Sequence, residues 1–427
     1  MNFKLTEDQL QLQEAARTFA RAELPAIAAE LERDNKPPSR ALVKRYAEMG
    51  FLGINVSSEL GGLGLGNIEA LIVLEEFGKI SSAVGFPIFE SSVGPVRAIE
   101  HFASDTLKKR VVPAVCSGDM VVAVSMSEPD AGSALTDLKT KGVVKGDKLI
   151  INGTKRWCSG GGHSDAYVVY CRLSDDPGAK GIGAVLVEKD APGISFGPNE
   201  ELMGFRGVPS SDINFDDCEV PLDNIIVQAG GGFKKLMEAF DLERCGNATM
   251  SLAQASGALE DVSVYVQERK QFGKAIAEFQ AVQIKLAEMQ MKIEAARLLI
   301  WRAASLAEDG LPSVLHSSTG KCFANTIARE VTGDAMQLMG AYGYSKEFPM
   351  ERRLRDSWGW GIAGGAIDIQ KVNIAGAMLG RRAFRRLCRL LPSLGRSGRQ
   401  GHRRGAGGEG RARHLLRSER GTDGLSR

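Results

Sequence analysis

Histidine is scarce in this sequence: five occur in 427 residues, and none falls in a metal-ligand spacing. Seven cysteines lie scattered, an odd count with no C-x-x-C pair. That usage predicts reduced thiols in a cytoplasm, and neither a disulfide framework nor a zinc site. No apolar run approaches the roughly eighteen residues that a membrane span needs. The opening stretch MNFKLTEDQLQLQE is acidic and amphipathic, unlike a signal or transit peptide. A metalloenzyme and a membrane protein are therefore not expected. What remains is a chain with 43% apolar and 25% charged residues, ordinary for a globular protein and long enough for two or three domains.

Net positive charge is lacking from most of the chain as well. The net charge is +2, but residues 381–427 hold fourteen Arg and no Lys against Glu409, Glu419 and Asp423, which is +11. Residues 1–380 must then sum to −9. The tail is Gly/Arg-rich without apolar periodicity and is expected to be disordered. It reads either as a basic arm for a polyanion or as an extension without function. The second reading is preferred, so no nucleic-acid partner is expected.

Three segments follow in order. Residues 1–118 read as helices: Thr6-Glu7-Asp8-Gln9 is a capping box, Pro38 to Met49 forms a second helix, and Asn67 caps a third over Ile68 to Ile80. Gly61 to Gly66 contains a G-x-G, yet no βαβ pattern surrounds it, and a turn is the better reading than a nucleotide loop. Residues 119–228 change to period two, with strands at Val121–Val124, Lys148–Ile151, Ala166–Cys171, Gly183–Val187 and Ser211–Phe215, and a turn at Asn152-Gly153. Residues 229–380 return to helical spacing, in stretches Phe233–Gln267, Ala277–Glu308, Pro312–Met339 and Ile362–Leu379, long enough for a bundle. The predicted class is a multidomain α+β protein.

Two stretches carry chemical character. VSMSEPDAGS, Val124 to Ser133, leaves a strand through a Pro/Gly turn whose N–H groups suit a phosphate, with Ser127 and Ser133 beside it. KRWCSGGG, Lys155 to Gly162, places the Trp157 indole near Ser159 and three glycines, where a flat ring can stack. By themselves these fit a non-Rossmann dinucleotide site and ordinary sheet-edge turns equally well. Together, S-E-P-D-A-G-S and W-C-S-G-G resemble the flavin-binding segments of the acyl-CoA dehydrogenase family, and further matches extend to about residue 380.

The resemblance implies a helical, β, helical-bundle fold and bound FAD. It also implies removal of an α-proton from an acyl-CoA as a hydride leaves the β-carbon for the flavin. Val124, Met126, Ser127, Gly132, Ser133, Trp157 and Ser159 match flavin contacts, and Ser133 also matches a substrate contact. Arg269, Gln271 and Phe272 in RKQFG, with Phe279, Gln280, Gln337, Gly340 and Ala341, match positions that reach the flavin of a neighbouring subunit. A homotetramer is implied. Ala366 and Asp368 stand where the family often has Thr and Gln or Glu against the flavin. Of the family's two base positions, the loop before the last helix here offers Gly364, so that acid is absent. The other, in Leu242-Glu243-Arg244, supplies Glu243 as the base, as in the isovaleryl-CoA and long-chain branches. Gly364 then opens room at the reacting carbons and offers its N–H to the thioester. Asp241, Arg244 and Gly365 match substrate contacts, although Asp241 and Arg244 also read as a surface ion pair.

The segment Ser81 to Glu90 contains no cation, which disfavours a dianionic acyl chain. Phe86 and Phe89 suit an apolar or ring-bearing one and core packing equally well, and Glu90 is the other acid in position to face the acyl chain. The expected activity is therefore dehydrogenation of a short, branched or cyclic apolar acyl-CoA, with electrons passed to an electron-transfer flavoprotein. Two alternatives stand beside it, a non-redox desulfinase of the same superfamily and a polyanion-binding flavoprotein.

Overall fold

The structure is a computed structural model describing residues 4–380; the arginine-rich tail lies outside the described residues. Six helices come first: α1 (Glu7–Asp34), α2 (Arg40–Glu48), α3 (Asn67–Ile80), α4 (Ser82–Ile88), α5 (Val96–Phe102) and α6 (Asp105–Cys116). The capping box forms as read, with Thr6 accepting from the Gln9 N–H and Gln9 accepting from the Thr6 N–H. The cap of α3 differs from expectation: Gly66 is the N-cap, and Asn67 instead accepts from Asn55 and donates to the Gly310 carbonyl. The Gly61–Gly66 loop is a turn. The amides from Gly61 to Leu65 are consumed locally, Gly62 N donating to Ser57 O and Gly64 N to Val56 O, which leaves no row of free donors for a phosphate.

A single sheet follows, of β1 (Val122–Ser125), β2 (Lys141–Lys145), β3 (Lys148–Ser159), β4 (Ala166–Arg172), β5 (Ile182–Glu188), β6 (Ile194–Phe196), β7 (Ser210–Pro221) and β8 (Ile225–Val227). The order is β6-β7-β3-β2-β4-β5-β8, with β1 paired in parallel to β4. The turn expected at Asn152-Gly153 is not there. β3 runs through it as a bulge against β7, and a side chain at Gly153 would collide with Thr140.

The remaining helices are α7 (Gly232–Glu268), α8 (Gln280–Ser305), α9 (Val314–Met339), α10 (Ala341–Tyr344), α11 (Met350–Trp360) and α12 (Ile367–Leu379), with a small hairpin of β9 (Lys270–Gln271) and β10 (Lys274–Ala275) after α7. The last expected helix, from Ile362, begins five residues later. Gly364 and Gly365 have φ of +64° and +87°, outside the helical region, and hold a loop open there. Helix α11 was not anticipated, because its charged sequence MERRLRDSWGW obscures the period.

Helix α7 is the spine. From Ala239 to Ala258 every residue except Glu243 is buried, a helix enclosed on all sides. Leu236 and Ala239 belong to the core between the sheet, α5 and α6, while Leu242 and Cys245 belong to the core shared by the first and last helices. Small residues make this enclosure possible. A Cβ at Gly246 would lie 2.4 Å from Val93 and 3.0 Å from Phe89. Gly246→Ala should therefore lower the unfolding midpoint, by about 1–3 kcal/mol from overpacking. Gly333→Ala on α9, where a Cβ meets nothing within 4 Å, should leave stability equal or higher in the same denaturant titration.

Candidate active site

Glu243 lies where α7 passes from one core to the other, and it alone on that stretch keeps surface exposed. That combination marks an opening onto an otherwise buried helix. Protein encloses the carboxyl on its other sides, and burial pushes it up to about 8, with Arg244 and Lys321 pulling in the opposite direction. The site also explains Gly364. A side chain there would meet Phe240, Asn247 and Lys321 at 3.4–3.7 Å. Phe240 and Asn247 are one turn before and one turn after Glu243 on the same face, so Gly364 sits over the carboxylate and its missing side chain leaves space there.

The loop at Gly364 is held from beneath. Lys321 Nζ donates to the Gly365 carbonyl at 3.0 Å and to Asn325 Oδ1 at 2.9 Å, and Gln370 donates to the same Gly365 carbonyl at 2.8 Å. Asn325 donates to Asn247 and Ser251, and Asn247 to the Ala363 carbonyl. With its carbonyl committed inward, the loop leaves the N–H groups of Gly364 and Gly365 without partners among the described residues. Lys321 is fully buried and is lowered to about 7, chiefly by burial and then by Arg244. The sequence reading missed Lys321, Asn325 and Asn247. A Lys and an Asn four apart on an apolar helix face were the available signal.

Asp241 and Arg244 are an ion pair, but a buried one and not the surface pair of the alternative reading. Ser317 donates to Asp241 at 2.6 Å, and the Arg244 guanidinium lies 5.2 Å from the Phe240 ring with its Nε unpartnered.

The two flavin-type stretches meet at one edge of the sheet. The buried Lys155 Nζ donates to Met126 O and Glu128 Oε1, both at 2.9 Å, tying the two together. A register shift between Lys155 and Cys158 puts Trp157 at φ +61° with half its surface exposed, a strained and exposed indole of the kind found at binding sites. Arg156 stacks 4.3 Å from that ring. Val124 and Met126 are partly exposed, Ser159 is half-buried, and the N–H groups of Ser127, Gly132 and Ser133 have no partner among the described residues. An apolar face, an exposed ring and free amide donors suit a flavin dinucleotide.

The remaining predicted contacts are elsewhere. Arg269, Gln271, Phe272, Gln280, Gln337, Gly340 and Ala341 are exposed around the far end of α7, with Phe279 half-buried among them. Phe272 is 93% exposed beside Phe279, and Arg269 lies over Tyr342. Arg269 is twenty-six residues from Glu243, roughly 39 Å at about 1.5 Å per residue. One chain does not bring this group to its own Glu243. Ala366 borders the Gly364 loop, and Asp368 is exposed and paired with Lys371. A cavity of about 520 Å³ between α1, α3, α7 and α11 is lined by groups already paired, among them Lys79 with Glu260 and Arg353 with Asp261.

The family models for the N-terminal, middle and C-terminal domains of acyl-CoA dehydrogenase match residues 6–119, 123–218 and 230–379. The chain belongs to the acyl-CoA dehydrogenase family. Its members are FAD-binding oxidoreductases. It is 38% identical over 378 residues to the probable acyl-CoA dehydrogenase fadE25 of Mycobacterium leprae, covering 88% of this chain and 97% of that one. It is 37% identical over 388 residues to the 3-sulfinopropanoyl-CoA desulfinase of Paraburkholderia xenovorans, covering 90% and 99%. Among solved structures, butyryl-CoA dehydrogenase of Megasphaera elsdenii superposes with a TM-score of 0.85 at 30% identity, over 89% of this chain and all of that one. Among the described residues there is no cluster of metal-ligating side chains and no helix long and apolar enough to cross a membrane. The six described cysteines are free thiols.

Titration of Glu243 sets a stability signature for this acyl-CoA dehydrogenase. Its ordinary value is 4.5 and its folded value about 8, so the folded protein holds the proton more tightly. The contribution to stability is complete below the ordinary value and is lost as pH rises through the folded one. Glu243→Gln should match wild type in urea midpoint at pH ~4 and exceed it at pH ~9. Equal midpoints at both pH values would show that the carboxyl is not enclosed.

Proposed function

We propose that this chain oxidises a short, branched or cyclic acyl-CoA to the 2-enoyl-CoA, with Glu243 as the base that takes the α-proton. The observation carrying the reading is the placement of Glu243: the only opening on a buried helix segment, with a vacant side-chain position above it. FAD, when bound, supplies the two-electron acceptor, and Val124, Met126, Ser127, Gly132, Ser133, Trp157, Ser159 and Ala366 are the residues that would hold it.

The chain's own groups do the rest. Glu243 receives the proton on its carboxylate, and burial makes that carboxylate basic enough to compete for a weak carbon acid. The free N–H groups of Gly364 and Gly365 are donors for a thioester oxygen as it gains charge. Lys321 positions both, anchoring the loop and stabilising the charged form of Glu243. Asp241 and Arg244 form the buried polar wall on which the CoA portion would rest. The electron acceptor in this reading is an electron-transfer flavoprotein.

The exposed group at the far end of α7 supports a homotetramer in which Arg269, Gln271, Phe272, Phe279, Gln280, Gln337, Gly340 and Ala341 serve a neighbour's flavin. Phe272→Asp should dissociate the assembly in sedimentation velocity and lower its flavin content. A variant that keeps both wild-type mass and full flavin would remove the cross-subunit assignment.

The likeness to a desulfinase brings a second reading, release of a sulfinate from the β-carbon. Residues 81–93 hold two aromatic rings and one acid but no cation, so that segment offers an acyl anion no counter-charge of its own. Anaerobic titration with a panel of acyl-CoAs separates the two. Dehydrogenation predicts bleaching of the flavin in wild type and a loss of about 10²–10⁴-fold in rate in Glu243→Gln. The desulfinase reading predicts sulfite release without bleaching.

The pH profile tests the partnership. kcat/KM should rise with pH through about 8, and Lys321→Met should change that profile mainly by losing rate below about 7, where the lysine is still a cation favouring the charged carboxylate. A loss of rate with an unmoved profile would leave Lys321 a purely structural role.

A further inference from the structure

Six acidic side chains are buried among the described residues: Glu75, Glu76, Glu90, Glu128, Asp241 and Asp356. Five have partners. Glu75 accepts from Arg297 and Ser256, Glu76 pairs with Lys79 and Arg17, and Glu128 pairs with Lys155. Asp241 pairs with Arg244 and Ser317, and Asp356 accepts from the Phe205 N–H. Glu90 is 8% exposed, and neither of its oxygens has a hydrogen-bond or ion-pair partner among the described residues. Its oxygens are nevertheless not among the fully enclosed unpartnered atoms of the described residues, so they face a small opening where solvent or a ligand must satisfy them.

Its position bears on which. Glu90 lies in a π-helical turn, Phe89–Val93, closed by the Gly94 N–H donating to the Phe89 carbonyl; such turns are frequent at functional sites. Phe89 and Val93 of this turn pack on Gly246, one turn along α7 from Glu243. The Phe86 and Phe89 rings stack at 5.5 Å, with the Trp360 ring 5.8 Å from Phe89. Glu90 therefore belongs to the turn that packs on α7 beside the base, next in sequence to the stacked Phe86 and Phe89 rings. Burial, and then the charge of Glu243, holds its carboxyl well above the usual carboxylate range, with Arg40 a smaller opposing influence. Two acids sharing a low-dielectric site do not both ionise. When Glu243 is the charged base, Glu90 keeps its proton and presents an O–H.

We infer that Glu90 is a specificity-determining hydrogen-bond donor, and that the acyl group it selects carries one oxygen acceptor, a hydroxyl, ether or carbonyl, beyond the β-carbon. This rests on the dehydrogenase reading for the identity of the ligand as an acyl-CoA. The neighbouring rings favour an apolar remainder of the chain, and the lack of a cation in residues 81–93 disfavours an acyl anion.

Matched esters test it with the holoenzyme. Hexanoyl-CoA is compared with its ω-hydroxy derivative, and cyclohexanecarbonyl-CoA with its ring-hydroxylated derivative, by calorimetric binding and by flavin bleaching. One hydroxylated ester should bind about tenfold tighter than its parent. The preference should vanish or reverse in Glu90→Leu and largely survive in Glu90→Gln, which keeps a donor. If wild type binds each parent as well as its hydroxylated partner, solvent alone satisfies Glu90 and the inference is wrong. A preference unchanged in Glu90→Leu overturns it equally. Preference without bleaching would sink the dehydrogenase reading and leave the Glu90 assignment standing; bleaching without preference does the opposite.

Discussion

The structure depends on holding a carboxylate at the one opening in a helix segment, Ala239 to Ala258, that is otherwise enclosed. Over the length of α7 that threads both cores, small residues such as Gly246, Ser251 and Gly257 let neighbouring elements approach closely. The one interruption in that enclosure is Glu243. Burial there destabilises the charged form, and the same burial makes the carboxylate a stronger base, so stability and reactivity pull against each other at a single atom pair. Lys321 moderates the conflict. It is itself buried, and its cost is offset by two hydrogen bonds and by the acid it faces.

The same helix separates the groups that the proposed chemistry requires. Glu243 is near its start and Arg269 just past its end, a distance fixed by helical rise. A rigid spacer of that length cannot fold back, so residues at its far end do not reach Glu243 of their own chain. The oligomer in the proposed reading is thus a consequence of α7's length. It needs no special interface motif.

Much of this was legible from residue order. The capping box, the helix–sheet–helix succession, the long α7 and the turn at Gly61–Gly66 rest on local rules of capping, period and glycine use, which depend on near neighbours. Glu243 was legible through resemblance and through the absence of an acid at position 364. The misses have physical causes. Asn152-Gly153 has the composition of a hairpin turn, but the pairing of β3 with both β2 and β7 makes it a bulge. Ile362 continues an apolar period that Gly364 and Gly365 interrupt through positive φ, a property spacing does not encode. Asp241 and Arg244 look like a surface pair at i and i+3, and only the packing of α9 around them makes the pair buried. Lys321 was hidden for the same reason, since a lysine on a helix reads as solvated until the surrounding helices are placed.

The Gly364 loop shows how these elements combine. Its carbonyl is gripped by Lys321 and Gln370, and its approach is fixed by Asn247 through Ala363, yet the loop carries no acid. Such a network would be disproportionate for a bare connection between α11 and α12. It makes sense if the position of the loop's backbone matters in itself, because the same loop carries the two unpartnered glycine N–H groups and lies against Phe240 and Asn247, which flank Glu243. An acid on this loop would depend on a backbone in the left-handed region to aim it. An acid on α7 is aimed by a helix that every neighbour encloses. In the proposed reading a division of labour follows: the rigid element holds the proton acceptor, and the glycine loop, relieved of a side chain, contributes backbone donors and room for a substituted acyl group.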